Sequence, residues 1–177
     1  MNNKINFYTG NIQPEEDTIF GFGSNPKGIH GAGSARVAVL YFNAKYGVCE
    51  GPQGNAYALP TKYLDKASKL GHYYPQEGDQ LYIDLMSYYN EHDFSDVLNN
   101  PVERSISPKE ILESIKKLYK YANENPTKKF KIAYRNKPSE FTLNGYFGGE
   151  MIELFKQAGD TPNNIYFSKE WVDSGLF

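Results

Sequence analysis

Residues 18–47 contain the stretch that decides the fold: TIFGF at 18–22, GIHGAGSA at 28–35 and SARVAVLYFNAKYG at 34–47. The first segment is a mostly apolar run next to turn-forming residues, which predicts a buried strand. Glycines then make a loop over residues 25–33. The apolar residues that follow predict a buried helix over residues 34–46, with Gly47 at its C-terminal cap.

The rest of the chain continues this alternation of strands and helices. SPKE at 107–110 is a capping box, and apolar residues at helical spacing then run to Ala122, so an amphipathic helix is predicted there. A second helix is predicted at 150–158, with Gly159 as its cap, and residues 81–89 fit either a strand or a buried helix. Further strands are predicted at 4–9, 55–59, 130–134 and 164–167. Such alternation indicates an α/β fold, a sheet covered on both faces by helices.

Length and composition favour one domain without an electrostatic bias. The chain has 177 residues and a net charge of -2, from 19 basic and 21 acidic residues. That charge gives no reason to expect a nucleic acid partner, and no run of about 18 apolar residues suggests a membrane span. A single cysteine, Cys49, and an N-terminus without an apolar signal segment lead us to expect a cytoplasmic protein. The sequence does not fix the oligomeric state.

The glycine-rich loop has the chemistry of an anion site. Glycines at 28, 31 and 33 let backbone amides approach an anion closely, and the helix that follows directs unpaired N–H groups to the same place. A diphosphate suits this arrangement, although the loop has neither the Lys-Ser/Thr ending of a P-loop nor the G-x-G-x-x-G spacing. The alternative is a tight strand-to-helix turn without a ligand.

Four segments around this loop carry a family resemblance: GNI at 10–12, FGSN at 22–25, HGAGSARVAVLYFNAKYGV at 30–48 and ALPTK at 58–62. In this order and spacing they resemble macro domains, most closely the branch of the terminal ADP-ribose protein glycohydrolase and related bacterial and phage proteins. LNGYFGGEMIELF at 143–155 resembles the second loop and following helix of that branch. The resemblance implies a single macro-like domain, with residues 63–100 as an insertion after the third strand.

The resemblance also implies a set of ligand-binding residues. Asn11 stands where macro domains place the Asp that receives the adenine amino group, and Ile12 would contact the adenine ring. Asn25 would hydrogen-bond the distal ribose, and His30, next to the glycine loop, is a candidate phosphate contact or an ordinary loop residue. The diphosphate would lie between two loops, formed by Gly31, Ala32, Gly33 and Ser34 and by residues 142–146, including Gly145 and Tyr146.

Lys62 and Asn144 are the candidate catalytic residues. Lys62 matches the lysine with which the glycohydrolase branch attacks the anomeric carbon, and a lysine can do so only as a neutral amine. Asn144 falls where that branch has an Asp as acid and base, but an amide has no proton that titrates near neutral pH. Glu140 is a possible substitute, or else a solvent-exposed loop carboxylate. The histidines lack metal-ligand spacing, and no cofactor is implied.

Three functional hypotheses follow from these residues. The first is binding of ADP-ribose or a related nucleotide diphosphate, with hydrolysis of an ADP-ribosyl linkage through Lys62 as an additional possibility. The second is a non-catalytic protein that senses or sequesters a cyclic or NAD-derived signal nucleotide. The third is a degenerate macro fold that binds other proteins.

Overall fold

The computed structural model describes residues 4–31, 33–62 and 78–177. Its centre is a six-stranded mixed sheet in the order β1-β6-β5-β2-β4-β3. Neighbouring strands are parallel except for β3, which pairs antiparallel with β4 at one edge. The strands are β1 (Asn6–Tyr8), β2 (Thr18–Ser24), β3 (Gly51–Gln53), β4 (Ala56–Pro60), β5 (Lys129–Ile132) and β6 (Ile165–Ser168).

Helices cover both faces of this sheet, so the α/β class expected from the sequence is confirmed. A 3-10 helix, Phe94–Asn99, lies in the sequence between the α-helices Gln80–Tyr89 and Pro108–Glu124. The α-helices are α1 (Gly33–Phe42), α2 (Gln80–Tyr89), α3 (Pro108–Glu124), α4 (Gly148–Gln157) and α5 (Lys169–Asp173).

Alternation along the strands divides the core into two clusters. On one face, Phe20 and Phe22 of β2 pack against Ala38 and Phe42 of α1, and the rings of Phe20 and Phe42 stack with centroids 4.5 Å apart. Small residues of β4 on this face let α1 approach the sheet closely. Ile19 of β2 points to the other face, into a larger cluster built mainly from α3, α4 and the strands. Because successive strand residues face opposite sides, the run TIFGF contributes to both cores.

Several predicted boundaries need correction. The first helix ends at Phe42 and not at residue 46, because Asn43 adopts a left-handed φ of 60° directly after it. Gly47 is therefore not the helix cap, and its amide instead donates to the carbonyl of Gly28 at 2.9 Å. Residues 81–89 form most of helix α2. The predicted strand 55–59 extends one residue further, because Pro60 is the last residue of β4.

The predicted insertion is only partly described, since residues 63–77 lie outside the described residues. The remainder contributes α2 and the 3-10 helix. Phe94 of the 3-10 helix packs against α4 so closely that a Cβ on Gly149 would lie 2.3 Å from its ring. This part of the chain is thus packed onto the domain. Strand β3 and helix α5 were not predicted from the sequence.

Candidate functional site

The strand order places a reversal at the centre of the sheet. From β2 the chain passes through α1 and returns to β4 on one side, whereas from β5 it passes through α4 to β6 on the other side. The carboxyl ends of β2 and β5 are therefore neighbours from which the chain leaves in opposite directions. In open α/β sheets, ligands bind in the crevice outside such a reversal point.

A cavity of about 370 Å³ lies at this point. Ser24 and Asn25 line it from the end of β2, Ser34 from the start of α1, and Thr61 and Lys62 from the end of β4. Residues 142–144 close it from the opposite side. Its volume falls within the range of small-molecule sites, which is roughly 300–1,000 Å³.

A second cavity, of about 460 Å³, adjoins the first. It lies between α1 and the segments that follow β1 and β5, and Asn11, Ile12, Tyr41 and Arg135 are among its lining residues. Ser34 and Ala133 line both cavities. The two cavities therefore adjoin at these residues. We call the pair the switch-point cleft, and side by side they suit an elongated ligand.

The glycine-rich loop is fixed by hydrogen bonds within itself. The side chain of Asn25 donates to the carbonyl of Ile29 at 2.7 Å and accepts from the Ile29 amide at 3.2 Å. Gly28 has a φ of 66°, and a Cβ there would lie 2.6 Å from the carbonyl carbon of Gly47. The predicted ribose contact of Asn25 therefore competes with its observed role, which is to hold this loop.

The start of α1 offers backbone groups to the first cavity. Gly31 and Ser34 line that cavity, and a Cβ on Gly31 would have no heavy atom within 4 Å. Gly33 has a φ of 57°, and a Cβ there would lie 2.8 Å from the side chain of Leu143. The first amides of a helix have no intrahelical partner, so this end of α1 suits an anion. Ala32 lies outside the described residues.

His30 does not face the cleft, which corrects its place among the candidate phosphate contacts. Its side chain is fully buried and meets the ring of Phe22 edge-on at 5.1 Å. Its Nε2 lies 3.2 Å from the carbonyl oxygen of Val48. The ring thus supports the glycine loop from the interior, because its apolar contacts turn it away from the solvent side.

The second loop, residues 142–146, is a tight turn organised by Asn144. The side-chain oxygen of Asn144 accepts from the Tyr146 amide at 3.2 Å and lies against the Thr142 hydroxyl. Its Nδ2 is 3.6 Å from the sulfur of Met151. Gly145 has a φ of 80°, which favours glycine at this position of the turn. Asn144 lines the cleft, but its amide is occupied in holding the turn.

Tyr146 anchors this loop from behind and does not face the cleft, a second correction. Its buried hydroxyl donates to the carbonyl of Ile106 at 2.5 Å, and the Arg104 guanidinium lies 4.3 Å above its ring. Both contacts are on the core side of the loop. Burial, the largest influence, raises the pKa of Tyr146 above its ordinary value.

Lys62 reaches across the cleft to the second loop. Its Nζ donates to the carbonyl of Leu143 at 3.0 Å. Burial lowers the pKa of Lys62, which increases the fraction of neutral amine at a given pH. Glu140 instead accepts from the Lys137 amide at 3.1 Å in an exposed turn and does not line either cavity.

A polar cluster, formed by the buried Arg104 and Glu150 and the half-buried Tyr89, lies next to the second loop. The Nη2 of Arg104 and the hydroxyl of Tyr89 each donate to Oε2 of Glu150 at 2.7 Å. Oε1 of Glu150 accepts from the Phe147 amide at 2.9 Å, at the start of α4. The side chains of Arg104 and Glu150 are 3% and 0% exposed. This cluster joins α2, the segment before α3 and the N-terminus of α4.

Tyr134, which sequence reasoning missed, and Arg135 follow β5 at the carboxyl edge of the sheet, where Tyr134 lines the first cavity and Arg135 the second. The Tyr134 ring stacks on Trp171 at 5.5 Å, and its hydroxyl lies so close to β2 that a Cβ on Gly23 would be 2.6 Å away. Burial raises the pKa of Tyr134 to about 12. The position of Tyr134 at the end of a predicted strand was the signal that could have identified it.

Comparisons with known proteins give no relative: no protein-family model, no curated protein and no solved structure matches this chain. Within residues 4–31, 33–62 and 78–177, the acidic, histidine and cysteine side chains form no group of three or more that could hold a metal ion. In the same part of the chain no helix has both the length and the apolar character needed to cross a membrane.

Proposed function

We propose that the switch-point cleft binds ADP-ribose or a closely related nucleotide diphosphate. The observation that carries this proposal is that the two cavities adjoin, with Ser34 and Ala133 lining both. An elongated ligand with a central diphosphate and a group at each end matches that shape. The sequence resemblance to macro domains supports the same ligand class and a macro-like fold.

In this proposal the diphosphate lies over the start of α1. Gly31 and Ser34 contribute amides there, and the positive end of the helix dipole favours the anion. The distal ribose then occupies the first cavity, near Lys62 and residues 142–144, and the base occupies the second cavity, near Asn11 and Ile12. Leu143 approaches the same end of α1 from the second loop.

Binding without turnover has more support than hydrolysis. The side chain of Asn144 holds the loop turn, and an amide cannot act as a general acid or base. Lys62 favours the second candidate, hydrolysis of an ADP-ribosyl linkage, because its burial favours the neutral amine that nucleophilic attack requires. Sequestration of a cyclic or NAD-derived nucleotide needs the same cleft and no acid/base partner.

Isothermal titration calorimetry with ADP-ribose tests the proposal, and Gly31→Glu is the sharpest variant. The backbone of Gly31 has room for a side chain, whereas Gly33→Glu would also strain the left-handed residue at the start of α1. A carboxylate at position 31 repels a diphosphate, and like charges at an interface cost several kcal/mol, so affinity should fall at least about a hundredfold.

The matched control is Asn123→Glu, which adds the same charge at an exposed position of α3. It should bind ADP-ribose as the unaltered chain does. If ADP-ribose and cyclic or NAD-derived nucleotides all fail to bind the unaltered chain, the proposal is wrong, and a degenerate fold that binds proteins becomes the better hypothesis. If Gly31→Glu binds normally, the ligand lies elsewhere.

A further inference from the structure

The second cavity of the switch-point cleft ends in a chain of three polar side chains. The Arg135 guanidinium donates through Nη2 to Glu170 at 2.8 Å and through Nη1 to the side-chain oxygen of Asn11 at 3.3 Å. Glu170 is the first cause of the raised pKa of Arg135, and Arg135 is the first cause of the lowered pKa of Glu170. The side chains of Arg135 and Glu170 are 40% and 43% exposed, so the pair contributes little to stability, but its geometry orients the guanidinium towards Asn11.

This chain determines which way the Asn11 amide faces. A guanidinium has only donors, so the atom of Asn11 that meets it must be the carbonyl oxygen. Both hydrogens of the Asn11 Nδ2 are then directed away from Arg135. Asn11 and Arg135 both line the second cavity, whereas Glu170 does not, so the side-chain groups that this chain offers to a ligand there are donors.

The remaining lining of this cavity suits the face of a purine. Ile12, Val37 and Tyr41 contribute apolar surface, and Tyr41 is 61% exposed beside the opening. Stacking of a base on such a surface does not discriminate between purines, because every base has a π-face. Selection must therefore come from the groups that meet the edge of the base.

We infer that this end of the cleft selects a purine with an acceptor edge, O6 and N7 as in hypoxanthine or guanine, over adenine. The inference rests on the proposed function, binding of a nucleotide diphosphate. Adenine shares the N7 acceptor, but in place of O6 it would bring its N6 amino hydrogens against the donors of Asn11 and Arg135. Donors that lose water without gaining an acceptor weaken binding, and sites built around one hydrogen-bonding pattern reject the opposite one.

The test compares ADP-ribose with IDP-ribose, its hypoxanthine counterpart, by calorimetry. The two ligands differ only at the purine ring, where O6 replaces the N6 amino group and N1 gains a hydrogen. We expect IDP-ribose to bind the unaltered chain about tenfold more tightly or better, since a bidentate contact to a purine edge discriminates by roughly that factor or more. Equal binding, or tighter binding of ADP-ribose, would overturn the inference and leave the proposed function standing.

Asn11→Asp provides the reversal. A carboxylate can still accept from Arg135, but its second oxygen offers an acceptor where the amide offered hydrogens. The preference for IDP-ribose should then fall to parity or invert. Asn123→Asp, at an exposed position of α3, introduces the same change of charge away from the cleft and should keep the preference.

The two failures are distinguishable. If neither ligand binds the unaltered chain, the proposed function fails and takes this inference with it. If both bind and Asn11→Asp leaves their ratio unchanged, Asn11 does not read the base, and only the inference is refuted.

Discussion

Glu150→Gln should destabilise the protein far more than the loss of one surface charge would. Three donors converge on this carboxylate: Arg104, Tyr89 and the Phe147 amide. Glutamine has one acceptor oxygen, so wherever it points, its NH₂ group meets at least one of these donors. The variant loses at least one hydrogen bond and leaves the Arg104 cation without its buried counter-ion.

The expected loss is about 3 kcal/mol. A hydrogen bond to a charged group contributes about 1.5–3 kcal/mol, and breaking a buried ion pair by removing one partner costs about 3–5 kcal/mol. Because glutamine keeps the shape and one acceptor, the cost should lie at the lower end of the second range. Total stabilities are about 5–15 kcal/mol, so the variant should still fold.

Urea unfolding followed by circular dichroism measures this loss. With an m-value of about 2 kcal/mol per molar urea, the midpoint should fall by about 1.5 M. The control is Glu113→Gln: Glu113 is 67% exposed and pairs with Lys116 on α3, so its loss should change stability by no more than about 0.5 kcal/mol. A Glu150→Gln midpoint equal to that of the control would refute the reasoning. Adding Arg104→Met to Glu150→Gln should recover part of the loss, because the uncompensated charge is gone.

Three further predictions concern the core, the alkaline limit and Lys62. Phe42→Ala should cost about 3–5 kcal/mol in urea unfolding, because Phe42 is 1% exposed and stacks on Phe20, whereas Tyr41→Ala on the exposed face of α1 should cost far less. Stability should fall as the pH rises from about 10 towards 12, because burial raises the pKa of Tyr57 to about 12 and the unfolded chain therefore loses its tyrosine proton at a lower pH than the folded protein. Tyr57→Phe should make this fall shallower in urea titrations at pH 9 to 11.5. An unchanged slope of stability against pH would contradict this prediction. Lys62→Ala should still bind ADP-ribose in calorimetry, but it should no longer release ADP-ribose from an ADP-ribosylated protein. Turnover that survives the substitution would exclude Lys62 as the nucleophile.

The sequence predicted the elements whose signals are local. Ser107 accepts from the Glu110 amide at 3.2 Å, as the SPKE motif indicates, and α3 follows it. The end of α1 was predicted wrongly because two residues compete for it: glycine is the commoner left-handed residue, but Asn43 adopts that conformation four positions earlier. Residues 81–89 were ambiguous because a short apolar run suits a strand and a buried helix equally.

Which side chains line the cleft depends on contacts between residues far apart in the sequence, and no local sequence pattern shows these contacts. Residues of both predicted loops, Asn25 and Gly31 from the first and 142–144 from the second, do line one cavity. His30 and Tyr146 are next to the right residues in sequence but point into the core, since a neighbour in a loop often faces the other way. The contact between Asn11 and Arg135 joins residues 124 positions apart, and its partner Glu170 is a further 35 positions along. Only the order of the strands brings them together.

The antiparallel edge of the sheet has a consequence for association between molecules. Pro52 is the central residue of β3 and lies opposite Tyr57 of β4. Proline has no N–H, so Pro52 and Tyr57 cannot be an antiparallel pair that exchanges two hydrogen bonds. In the other kind of pair the backbone nitrogen points away from the partner strand, so the nitrogen of Pro52 faces outward from the sheet. A strand from another molecule that approached this edge would find no donor at its centre. The edge of the sheet nearest to the cleft-forming strand β4 is thereby protected against cross-β aggregation, although β3 is only three residues long.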